Sequence, residues 1–194
     1  MQLGEKITEA EMARRWARAE MAGVRQNAAD MRSRLIGNGL DPEAIASETV
    51  LSPESASRVQ AAIRYEHGRT LDGFPYEQVE WFEALLEDGD TLLLLPYPDT
   101  LEWTSGTFKP ADAIAGFRSN RHLDAVEAAI EGGEDLPPMI CVAASAADPV
   151  VVLDGNQRAV AHEELGTPRP LPIILGVSSD LPSWGRYAAA ISAT

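Results

Sequence analysis

The run Val150-Val151-Val152-Leu153 passes straight into Asp154-Gly155-Asn156-Gln157-Arg158-Ala159-Val160-Ala161, and this junction constrains the chain more than any other stretch. Four branched aliphatic residues in a row read as a short buried strand. Asp154-Gly155 breaks the strand. A helix follows to about Leu165, where Gly166 and Pro168 stop it. A buried strand that gives way directly to a helix presents unpaired helix N–H groups and the positive end of the helix dipole together, which suits an anion, most often a phosphate. Gly155 permits close approach to the backbone, and Arg158, about one turn in, adds a charged fork. A purely local alternative has Asp154 as helix cap, Gln157 as its N3 partner in a near capping box, and Arg158 paired with a surface carboxylate.

The segment Leu-Asp-Gly-Asn-Gln-Arg-Ala after an aliphatic strand resembles the signature of the ParB/sulfiredoxin-like superfamily, whose members bind nucleotide phosphates there. The similarity extends upstream, through Phe117-Arg118-Ser119-Asn120-Arg121-His122-Leu123, a helix, Gly132-Gly133 and Leu136-Pro137-Pro138-Met139-Ile140-Cys141-Val142. It covers roughly residues 108 to 176. The resemblance implies an α+β fold, with a small mixed sheet and packed helices over 89–194; the apolar spacing of the residues before it makes 1–88 a helical region. The resemblance also implies a nucleotide site built from Gly155, Asn156, Gln157 and Arg158, joined by Arg118, Asn120, Arg121 and His122. ATP or CTP with Mg²⁺ would be the cofactor, and Asp154 would hold the metal or accept a proton. Sulfiredoxins place their reactive cysteine where this chain has Asn156, while Cys141 lies in an apolar strand and reads as packed, so sulfinic-acid reduction is not implied. CTP-binding segregation proteins carry glutamate and arginine at the positions of Asn156 and Gln157, and a DNA-binding helical domain after the motif. The free-serine-kinase branch, D-G-x-x-R, is nearest: Asp154, Gly155 and Arg158 match, and the two residues between differ.

A formal net charge of −14 argues against broad binding to nucleic acid or anionic membrane, though not against a local basic site. A single cysteine excludes an internal disulfide and suits a reducing cytoplasm. Three histidines and that cysteine lie too far apart in sequence for a zinc pattern. The first residues lack an apolar signal core and no run is long enough to span a membrane, so the expectation is a cytoplasmic protein.

Upstream, Thr8 and Glu11 form a capping-box start. Ala17, Met21, Val24, Ala28, Met31 and Leu35 make a heptad-like seam on one helix ending near Gly37. Arg18, Arg25 and Arg32 flank the seam, seven residues apart. The helix is expected to lie on the rest of the protein. A homodimer seam and a basic face for nucleic acid are the alternatives. Short helices are expected from Pro42 to about Glu48 and from Pro53 towards Gly68, with another from Pro75 to about Glu87. The acidic stretch between Thr70 and Phe108 reads as a solvated helix face, with a surface for a cationic partner or a source of one Mg²⁺-binding or basic carboxylate as the alternatives. Strands are expected at Leu92–Leu95, Leu101–Thr104, Met139–Ala143, Val150–Leu153 and Leu171–Leu175, a helical turn between Lys109 and Phe117, a helix from about Asn120 to Ile130 capped by Ser119, and a final helix from Leu181. Three functions remain open: a nucleotide-dependent enzyme that phosphorylates a small molecule or hydrolyses the nucleotide, a non-catalytic nucleotide-responsive module, and a DNA-associated regulator.

Overall fold

The computed structural model describes residues 1–22, 27–47, 51–68, 71–96, 100–101, 104, 106–118 and 121–193. The chain divides into two compact units, one of residues 1–6 with 73–194 and one of residues 7–72.

The larger unit is built on a six-stranded mixed sheet. Its strands are β1 (Gln2–Ile7), β2 (Glu80–Leu86), β3 (Leu92–Leu94), β4 (Met139–Ala143), β5 (Val150–Asp154) and β6 (Leu171–Val177), in the spatial order β1-β2-β6-β4-β5-β3. β2 runs antiparallel to β6 and β4 antiparallel to β5, whereas β4–β6 and β3–β5 are parallel. Cys141, Val152, Ile173 and Leu175 join one core with residues of three helices. The helices are α5 (Pro110–Arg118), α6 (Arg121–Glu131) and α7 (Asn156–Glu164). The alternate residues Ile140, Val142, Val151, Leu153 and Ile174 point to the opposite face and are equally buried. Strands covered on both faces must be apolar at every position, and this is why β3, β4 and β5 read as unbroken aliphatic runs. The C-terminal α8 (Gly185–Ser192) follows a short 3₁₀ turn at Leu181–Ser183. The Tyr187 hydroxyl on α8 accepts from Ala144 N (2.9 Å) and donates to Pro149 O (3.2 Å), tying the helix to the β4–β5 connection.

The smaller unit is helical among its described residues: α1 (Glu9–Ala22), α2 (Asn27–Gly37), α3 (Pro42–Ser47) and α4 (Pro53–Glu66). Thr8 Oγ1 accepts from Glu11 N at 3.1 Å, so the expected cap of α1 forms, and Ser52 Oγ accepts from Ser55 N at 3.1 Å to cap α4. Ala17, Met21, Met31 and Leu35 of the expected seam are buried, with α1 packed on α2 and α4. Val24 and Arg25 lie outside the described residues. Arg18 is exposed and Arg32 pairs with Glu43 at 2.6 Å.

Two expected elements form differently, and one strand carries no sequence signal. The helix from Pro75 to Glu87 is instead a 3₁₀ turn at Tyr76–Gln78 followed by β2. Its apolar spacing fits either period, and a continuous antiparallel ladder with β6 decides for the strand. β1 went unread because nearly all its residues are exposed and an edge strand needs no apolar alternation. In place of a strand at Leu101–Thr104, Thr104 N donates to Thr100 O (2.9 Å) in a helical turn; residues 102 and 103 lie outside the described set.

No helix among the described residues is long and apolar enough to cross a membrane. Cys141 is fully buried, and burial pushes its thiol far above the usual range. Native protein is therefore expected to resist a thiol reagent that labels the unfolded chain stoichiometrically; rapid native labelling would contradict this packing.

Candidate functional site

The β5–α7 turn forms as its sequence suggests, with one shift. The helix cap is Gly155, not Asp154. Gly155 takes the left-handed conformation, φ 99° and ψ 22°, which an L side chain resists. Its carbonyl accepts the first helical bond from Ala159 N at 2.9 Å. Having no side chain, it offers no acceptor to the first-turn N–H groups of Asn156, Gln157 and Arg158, and the first turn carries no acidic residue. Neither the cap residue nor an acidic side chain within the first turn therefore offsets the positive end of the dipole.

Asp154 closes β5, where the antiparallel register sets it across from Ile140 at the start of β4. The segment just before β4, Pro137-Pro138, consequently lies beside the turn. Arg158 bridges the two. Its Nη1 donates to Pro137 O and, at 3.1 Å, to Pro138 O. Its Nη2 donates to Asp154 Oδ2 at 2.8 Å. The two side chains are only 13% and 15% exposed. The guanidinium also lies against Gly155, where an added Cβ would stand 2.9 Å from Nε and Nη2. Glycine at 155 thus serves the backbone conformation and the arginine at once.

Of the other expected cations, Arg118 is the one whose side chain is described, and it lies away from the turn. Arg118 pairs with Glu164 at the far end of α7, roughly 12 Å along the helix from Asn156 at 1.5 Å per residue. Asn120 lies outside the described residues, as do the side chains of Arg121 and His122, whose backbone opens α6. Gln157 is buried, 6% exposed. Among the described residues no group of three or more His, Cys, Asp or Glu is placed to hold a metal. Asp154, committed to Arg158, is a poor fit for either Mg²⁺ or a transferred proton.

His162, which no sequence motif marks, stands four residues after Arg158 on the same helix face. It is part-buried, and its Nδ1 has no hydrogen-bond partner among the described residues. Burial, and then the charges of Arg158 and Arg169, hold the imidazole below its ordinary range. A folded value below the unfolded one means the unfolded state binds the proton more tightly. Stability should therefore fall as pH drops from about 6.5, and the loss is complete only below the depressed folded value. Melting temperatures from about pH 8 to 5 should decline less in His162→Asn than in wild type; identical profiles would show that His162 does not carry the effect.

No family model matches the chain, and no curated protein or solved structure is significantly similar to it.

Proposed function

We propose that residues 73–194 are a ParB/sulfiredoxin-like domain that binds a nucleotide through its phosphates at the β5–α7 turn, acting as a nucleotide-responsive module and not as a kinase. The observation that carries this reading is the left-handed Gly155 that opens α7 directly after a buried strand, with no acidic residue in the first turn of the helix. The resemblance of Leu153 to Ala159 to the superfamily signature supplies the ligand class. The Asp154–Arg158 pair weighs against phosphotransfer, because a base or metal ligand at Asp154 would first have to surrender its partner.

Calorimetric titration of the full chain with ATP, CTP, GTP and ADP, each with Mg²⁺, tests the proposal. Saturable binding that weakens with salt is expected, without phosphorylated product or released phosphate from labelled ATP or CTP. Absence of binding to all four would refute the site, and product formation would restore the enzyme reading.

A further inference from the structure

We propose that the open edge of β1 docks an extended peptide segment rich in lysine or arginine, which joins the sheet as an added strand. The site lies wholly within the unit of residues 1–6 and 73–194 and is independent of the β5–α7 turn. β1 ends the spatial order of the sheet, so β2 pairs with one of its edges and the other is open. Gln2, Leu3, Gly4, Glu5 and Lys6 are all exposed. The opposite end of the sheet is different: every residue of β3 is buried, and Leu94 N donates to Phe108 O at 2.7 Å. An open edge presents a row of backbone N–H and C=O groups that an extended chain can pair with, whatever its side chains. Many edges are blunted by a proline or by a lysine standing out from the strand. β1 has no proline, and its lysine is drawn to the neighbouring strand, where Lys6 Nζ donates to Glu80 Oε1 at 2.5 Å.

Charge selects the occupant. Glu5 on β1, Glu80 on β2, and Glu87 and Asp88 in the turn that follows are exposed carboxylates. No Lys, Arg or His lies between Thr70 and Phe108. The cations that reach this end of the sheet already serve it: Lys6 pairs with Glu80, the chain's amino group with Asp90 at 2.8 Å, and Arg169 donates to the carbonyls of Glu87 and Asp90. The surplus of negative charge favours a cationic strand. It disfavours a second copy of the chain, which would bring its own formal net charge of −14.

The test titrates the full chain with a capped, dye-labelled hexapeptide of alternating lysine and valine, followed by fluorescence anisotropy. Two control peptides have the same length: one with glutamate in place of lysine, and one with lysine kept but every amide N-methylated, so that it cannot donate to a strand. Saturable binding is expected for the first peptide and for neither control, and it should weaken as salt rises. Amide hydrogen exchange within Gln2–Lys6 should slow by about tenfold or more at saturating peptide. Glu5→Lys combined with Asp88→Lys, both at exposed positions, should lower affinity by about fivefold, the scale of two solvated ion pairs. Equal binding of the N-methylated peptide would overturn strand addition, and equal binding of the glutamate peptide would overturn selection by charge. No saturable binding of the lysine peptide, or protection elsewhere than β1, would overturn the site. Sedimentation at rising protein concentration tests the other occupant: self-association that protects Gln2–Lys6 would assign the edge to a second copy and overturn the proposal. If the double variant fails to fold, the control peptides still decide the matter with wild type.

Discussion

Arg158→Ala is expected to lower folding stability by about 3 kcal/mol, the lower end of what removing one member of a buried ion pair costs. The motif alone suggests the opposite: an arginine reaching for phosphate should be removable with little loss of stability. The structure places its guanidinium among acceptors that water reaches poorly. Truncation strands the Asp154 carboxylate at 15% exposure and leaves the carbonyls of Pro137 and Pro138 short of a donor. It also opens space over Gly155. Urea denaturation measures the effect directly. Lysine at 158 should recover only part of the loss, since a single ammonium lacks the planar fork that spans both acceptor groups. A loss under about 1 kcal/mol would mean that these contacts are solvated and weak, as exposed pairs are.

Trp81→Ala should cost about 4 kcal/mol, within the range for removing a large buried aromatic. Trp81 is 2% exposed and stands directly opposite Gly176 in the β2–β6 register. A Cβ on residue 176 would fall 2.6 Å from Val79 Cγ1 and 2.9 Å from Trp81 Cζ3, so the indole occupies the space that glycine leaves in the neighbouring strand. Gly176→Ala alone should therefore be destabilising by about 2 kcal/mol through overpacking. The two changes should be strongly non-additive, because the alanine methyl meets less resistance once the indole is gone. Additive losses in a double-mutant cycle would show that Trp81 and Gly176 do not share this space.

Much of the architecture is legible in the chain because local chemistry and tertiary demand agree. Strands β3 to β6 announce themselves as aliphatic runs. Thr8 and Ser52 mark the starts of α1 and α4, and the left-handed cap requires the glycine at 155. Where the pattern fits two periods, local chemistry cannot choose. Val79, Trp81, Phe82, Leu85 and Leu86 suit a helix face as well as a strand, and only pairing with β6, nearly ninety residues later in sequence, settles the matter. β1 has no buried face to announce. The β5–α7 turn follows the same division. Its strand, glycine and helix are written in consecutive residues, whereas the destination of Arg158 is not. Two of its acceptors are main-chain carbonyls, which leave no mark in a sequence. They reach Arg158 because the antiparallel pairing of β4 with β5 sets the entrance of one strand beside the exit of the other. Sequence alone determined that a strand would break into a helix at Gly155. The tertiary structure decided that the charge beside that break is turned inward, because the desolvated carbonyls and carboxylate there need its donors more than the solvent does.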